Sequence, residues 1–290
     1  MHRNSPIIIG EIGCNHMGSM KLAEKLIKAA SLCGANYVKF QKRNNRFLLG
    51  KKYDQPHPVK ENSFGKSYGQ HRDFLEFDLK QHLKLIDICK KNKIGYSTSV
   101  WEKKSARIFC KIQNKFDFIK VPSACNLDLE LLDELCKNFK KKIHVSLGMT
   151  TEKEISLIFN FFKKRKRNKD LVFYHCTSDY PAKFEDLNLL NISTIIKKYR
   201  NKIHDVGFSG HHLGIAADVC AYTLGANYIE RHITLDRTYK GTDHAASLEP
   251  SGLYKLIRDL KAINLSLGNK MGLLRNERIQ RKKLKRIIKL

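Results

Sequence analysis

Acidic residues are scarce in this chain. Asp and Glu number 28 against 55 Lys and Arg in 290 residues, a net charge of +27. That imbalance excludes an acidic or solvating domain and favours anionic partners, so where the charges sit matters more than their sum. Proline (6) and glycine (17) are too few for a fibrous or low-complexity chain, while 42% hydrophobic residues are too many for a disordered one. No apolar run approaches the ~18–20 residues of a spanning helix. The opening MHRNSPIIIGEIG lacks the long apolar core and small-residue cleavage site of a signal peptide. These absences predict a cytoplasmic globular enzyme or binding protein with no membrane partner. The eight cysteines, at 14, 33, 89, 110, 125, 136, 176 and 220, form no CxxC pair. They are read as reduced thiols, mostly core filler, and not as a zinc site or a disulfide framework.

Two runs, Lys163 to Lys169 and Arg275 to Leu290, hold 13 of the 27 net charges. Each reads first as a solvated lysine-rich surface, because charge alone gives only salt-sensitive, non-specific affinity and no specific nucleic-acid site. Within the second, Leu284, Ile287 and Ile288 follow helical spacing and offer a face for a partner. The division expected is a folded domain over 1–268 and a basic tail over 269–290.

Strand-like runs occur at 7–12, 37–41, 94–98, 116–121, 143–147, 171–176, 205–209 and 227–232. Helix-like stretches occur at about 19–33, 79–92, 102–113, 128–138, 151–165, 186–199, 213–223 and 251–265. Ser19, Asp128 and the Thr151–Glu154 capping box mark helix starts. Eight strand–helix units in strict alternation predict a closed (β/α)₈ TIM barrel in the α/β class, in preference to a doubly wound open sheet. A polar insert, about Lys42 to Asp78, follows the second strand and is a candidate lid or substrate loop.

A barrel site is built at strand C-terminal ends. Those positions hold Glu11, Asn15, His16, Lys39, Gln41, Thr98, Lys120, Ser123, Ser146, Ser178, Tyr180, Ser209, His211, His212, Glu230, His232 and Asp243. Lys39 and Lys120 sit inside apolar runs, where a single lysine would ordinarily pack its stem and send its amine to water. Two aimed at one rim, with Thr98, Ser123, Ser146 and Ser209, instead predict a pocket for phosphate and carboxylate. His211 and His232 end neighbouring strands. Either alone reads as a hydrogen-bonded structural histidine; together, near Glu11 and Asp243, they form a plausible divalent-cation site whose metal the spacing does not name.

The motifs GEIGCNHMGS (10–19), ANYVKFQK (35–42), FIKVPSA (118–124), HVSLGM (144–149), YHCTSDYPAKFEDLNL (174–189) and the run from Gly207 to Pro250 resemble the sialic acid synthases through nearly the whole chain. The resemblance implies a barrel that condenses phosphoenolpyruvate with an N-acylated hexosamine, releasing phosphate and a nine-carbon 2-keto-3-deoxy acid. It implies phosphoenolpyruvate binding by Lys39, Gln41, Thr98, Lys120, Ser123, Ser146 and Ser209, and sugar binding by Tyr180, Ser178, Asn15, His71 and Arg72. By the same likeness Glu11 and Asp243 are the catalytic carboxylates, and His211 and His232 hold a divalent metal, manganese first, with magnesium or cobalt as alternatives.

Three departures bear on the sugar: SerGlyHis at 209–211, Cys125 after the fourth-strand serine, and Ser178. Many relatives continue into a C-terminal antifreeze-like domain. Its absence here implies a barrel that works alone or takes a separate antifreeze-like or other acidic partner, with a homo-oligomer expected. The insert 63–77 resembles forms that use 6-phosphorylated sugars, with Lys66, His71 and Arg72 as the candidate phosphate ligands. The rival readings are another metal-dependent barrel aldolase on a different sugar, and a basic protein that binds anions or nucleic acid.

Overall fold

The computed structural model describes residues 5–269 and 271–286. Eight parallel strands close into a barrel, each pairing with the next and β8 returning to β1. They are β1 (Ile7–Glu11), β2 (Tyr37–Lys42), β3 (Gly95–Val100), β4 (Phe118–Val121), β5 (Lys142–Ser146), β6 (Leu171–Cys176), β7 (Asp205–Gly210) and β8 (Tyr228–His232). All eight fall where the apolar runs place them, because a short run between turn signals and longer amphipathic stretches can bury both its faces only inside a helix-covered parallel sheet.

The helices covering the barrel are α1 (Met20–Cys33), α4 (Leu79–Lys91), α5 (Lys103–Lys111), α6 (Leu129–Asn138), α7 (Glu152–Lys164), α8 (Leu190–Tyr199), α9 (Ala216–Leu224) and α10 (Pro250–Ser266). Their starts are local chemistry. Ser19 accepts from the Leu22 amide, Asp128 accepts from Glu130 and Leu131, and Thr151 and Glu154 cap each other. Asp78 and Gln81 make a second capping box at α4. The insert folds as two short helices, α2 (Asn45–Leu49) and α3 (Tyr68–Phe74), with 3₁₀ turns between them.

Strand alternation splits the buried residues in two. One set, including Phe40, Tyr96, Val121, Phe173 and Ile229, packs against the helices as the main core. The other, Ile9, Phe118, Val172, Tyr174 and Tyr228, fills the barrel interior below the site.

The basic run after α7 is not simply solvated. Arg165 donates twice to Asp133 and lies over the Phe161 ring, and Arg167 donates to the carbonyls of Cys136, Phe139 and Lys141. These two arginines staple the α6–β5 connection to the end of α7. In the second run α11 (Arg275–Leu284) buries no residue, and Ile287 and Ile288 lie outside the described residues. All eight cysteines are free, and no described helix is long and apolar enough to cross a membrane.

Candidate active site

Side chains of interior parity at the strand C-terminal ends converge on a cavity of about 220 Å³. Its lining includes Glu11, Lys39, Gln41, Lys120, Ser123, Ser146, Ser178, Tyr180, Ser209, His211, Glu230 and His232, so twelve rim residues named from sequence meet in one place. Ser99, Trp101 and Cys176 join them.

The two lysines, expected from sequence to serve a pocket for phosphate and carboxylate, are each paired with a carboxylate. Lys39 lies 2.6 Å from Glu11, and Lys120 lies 2.7 Å from one oxygen of Glu230, which Lys39 also approaches at 3.6 Å. Gln41 donates to the other Glu11 oxygen at 2.6 Å, and Ser209 donates to Glu230. The pairing follows from cost, since a buried unpaired ammonium would be expensive in this interior. Burial works against the charge of Lys39, but Glu11 and Glu230 outweigh it and hold its pKa up. For Lys120 burial wins, aided by Lys39, and the pKa is lowered. Burial also opposes ionisation of Glu230, yet Lys120 and Lys39 prevail and its pKa is lowered. Sequence inspection placed Glu230 on the rim without giving it this central role.

His211 and His232 stand with ring centroids 5.5 Å apart, and the Tyr180 ring lies 4.2 Å from that of His211. Burial, reinforced by His232, pushes the His211 pKa down to about 3, so its imidazole is neutral. Its Nδ1 donates to the Thr177 carbonyl at 2.7 Å, which leaves Nε2 as an unprotonated lone pair. His232 Nδ1 is buried without a hydrogen-bond partner, and Asp243 Oδ2 lies 3.8 Å from it. A neutral imidazole with its tautomer set by a carbonyl and a second with an orphaned nitrogen fit a divalent cation as a two-imidazole face. Among the described residues no group of three or more ligating side chains accompanies them. The remaining positions would fall to water or substrate.

Several expected residues lie elsewhere. Thr98 does not line the cavity. It shares the helix-facing parity of Tyr96 and Val100, and Ser99, one residue on, takes the interior place. Asn15 spends its amide on the Ile233 carbonyl and the Ser247 hydroxyl. With His71, Arg72 and Asp243 it lines a smaller hollow beside the cavity, walled also by Phe64 and Lys240. His71 accepts from the Phe64 amide, and burial with His57 and Arg72 lowers its pKa to about 4, so it is no cationic phosphate ligand. Lys66 is exposed and absent from that lining.

Arg43 escaped sequence inspection. It lies over Trp101 at 4.1 Å and donates to Gln41, bracing the cavity's edge. Its signal was a further cation directly after QK at the end of β2. Ser123 accepts from the Gly148 amide, and a Cβ at Gly148 would come within 2.2 Å of the Ser178 hydroxyl and 2.7 Å of that of Ser123. Only glycine therefore lets β5's loop close over these hydroxyls.

Comparison with known proteins agrees with this geometry. N-acetylneuraminate-9-phosphate synthase of Mus musculus is 35% identical over 265 residues, covering 90% of this chain and 71% of that protein. N,N'-diacetyllegionaminic acid synthase of Campylobacter jejuni is 34% identical, covering 91% of this chain and 78% of the other. Among solved structures, N-acetylneuraminic acid synthetase from Leptospira borgpetersenii, in complex with citrate, superposes with a TM-score of 0.82 at 28% identity, covering 98% and 94% of the two chains. The NeuB family profile matches residues 26–272, and this chain belongs to the NeuB family.

Proposed function

We propose that this barrel condenses phosphoenolpyruvate with the open-chain aldehyde of an N-acylated hexosamine, giving a nine-carbon 2-keto-3-deoxy acid and phosphate. The observation that carries the reading is the buried Lys39–Glu11 and Lys120–Glu230 pairing in the same cavity as the His211–His232 pair. The names and sequences of the relatives point the same way.

Charge balance supports it. Lys39 and Lys120 are matched by Glu11 and Glu230, so the four together bring no net charge to an anionic donor. His211 and His232 would hold a divalent cation, manganese first, which when bound would add positive charge beside the donor and polarise the acceptor aldehyde as a Lewis acid. The donor's carboxylate and phosphate take the ammoniums of Lys39 and Lys120, with the hydroxyls of Ser99, Ser123, Ser146 and Ser209 around them.

C3 of the donor attacks the aldehyde carbon, leaving an alkoxide that takes up the proton released when water adds at C2. The positive charge left at C2 is met by water. Glu11, released from Lys39 by the donor and still held by Gln41, accepts the water's proton. The C2–oxygen bond to phosphate then breaks, the leaving phosphate takes the electron pair and the proton of the new C2 hydroxyl, and the product is a ketone. Asp243, beside His232, faces the sugar. Arg72 and Lys240 of the adjoining hollow would meet a 6-phosphate on that sugar, with Tyr180 and Ser178 on the cavity side.

A phosphate-release panel tests this: phosphoenolpyruvate and manganese with N-acetylmannosamine, its 6-phosphate, or diacetamido hexoses. Release that depends on one of these sugars is expected. Release with none of them, or equally without sugar, overturns the proposal. Preference for the 6-phosphate that survives Arg72→Ala would remove the phosphate assignment.

A further inference from the structure

We infer that Tyr174 is a positioning residue for Lys120: its ring face, fixed by His144, holds the ammonium at the cavity floor within reach of Glu230. The inference rests on reading the cavity as the donor site. Lys120 Nζ lies 4.1 Å from the centre of the Tyr174 ring and 2.7 Å from a Glu230 carboxylate oxygen. The ring is built to stay there. Its hydroxyl is 2.9 Å from His144 Nδ1, and His144 is itself stacked on Phe118 with centroids 3.9 Å apart and planes 8° from parallel.

Tyr174 and His144 are both fully buried in an interior layer where aliphatic packing would be cheaper. Neighbouring β7 makes room for the ring. Gly207 sits beside it, and a Cβ there would come within 2.6 Å of Tyr174. A desolvated cation held against a π face loses substantial attraction when the face is removed.

The test compares wild type, Tyr174→Phe and Tyr174→Leu by calorimetric titration with phosphoenolpyruvate and by steady-state kinetics. Tyr174→Phe keeps the face and is expected to bind within about threefold of wild type. Tyr174→Leu is expected to bind about tenfold more weakly or worse, with a matching rise in the donor KM and an unchanged sugar KM. Equal donor affinity in Tyr174→Leu and wild type, or equal weakness in Phe and Leu variants, overturns the inference.

Absence of donor binding to the wild type would overturn the donor-site reading instead. Crystal structures of wild type and Tyr174→Leu then decide the inference alone. A Lys120 Nζ displaced from Glu230 in the variant supports it, and one left in place contradicts it.

Discussion

Glu230 gives one carboxylate oxygen to two ammoniums and a serine hydroxyl, and that economy shapes how single substitutions act around the cavity. Side chains of interior parity face the cavity, while those one residue away meet the helices. Thr98 and Ser99 separate the two roles. Ser99→Ala is expected to raise the donor KM about tenfold or more, the loss of one hydrogen bond to a charged group being worth about 1.5–3 kcal/mol. Thr98→Val, whose hydroxyl faces the helix side with the Ser99 carbonyl and the Tyr96 hydroxyl, is expected to leave that KM within about twofold. Steady-state kinetics on the two variants checks the pair, and the reverse ranking would place β3 in the wrong register.

At the scale of elements, the loop after β7 carries His211 and is held from behind. Arg231 on β8 donates to the carbonyls of His212 and Gly214 and pairs with Asp218 at the start of α9. All three side chains, His212, Asp218 and Arg231, are buried. Breaking a buried ion pair by removing one partner costs about 3–5 kcal/mol. Asp218→Ala should therefore lower the urea midpoint and speed amide exchange across 211–215; a midpoint equal to wild type would show that the brace does not hold the loop.

The strands and the helix starts were legible in the sequence because apolar runs and caps such as Ser19 and Thr151 act locally. The cavity's cast was legible because strand ends project inward. What escaped depends on pairing in space. The neutralisation of Lys39 by Glu11 is set by β1–β2 register, the parity of Thr98 is a one-residue matter, and the neutral state of His71 comes from burial among aromatic rings.

For the whole molecule, charge and burial pull in different directions. The net charge of +27 lies largely on the surface, yet the interior keeps His16, His82 and His144 neutral. Burial, with Arg43 nearby, pushes the His16 pKa to about 3, and burial first of all holds His82 and His144 well below the ordinary value. Each is lowered on folding, so the unfolded chain binds more protons below about pH 6.5. Stability is then full above that pH and falls as the pH drops, by about 1.4 kcal/mol per unit for each histidine. Urea midpoints at pH 7 and pH 5.5 should show the loss, and equal midpoints would mean these imidazoles reach water.

The condensation itself is tested most directly with phosphoenolpyruvate carrying ¹⁸O in its bridging oxygen. The reaction with the responsive hexosamine is followed by phosphorus NMR and mass spectrometry. Water attack at C2 predicts that the label leaves in phosphate, one equivalent for each nine-carbon acid formed. Unlabelled phosphate accompanied by pyruvate, with no nine-carbon acid, would contradict it.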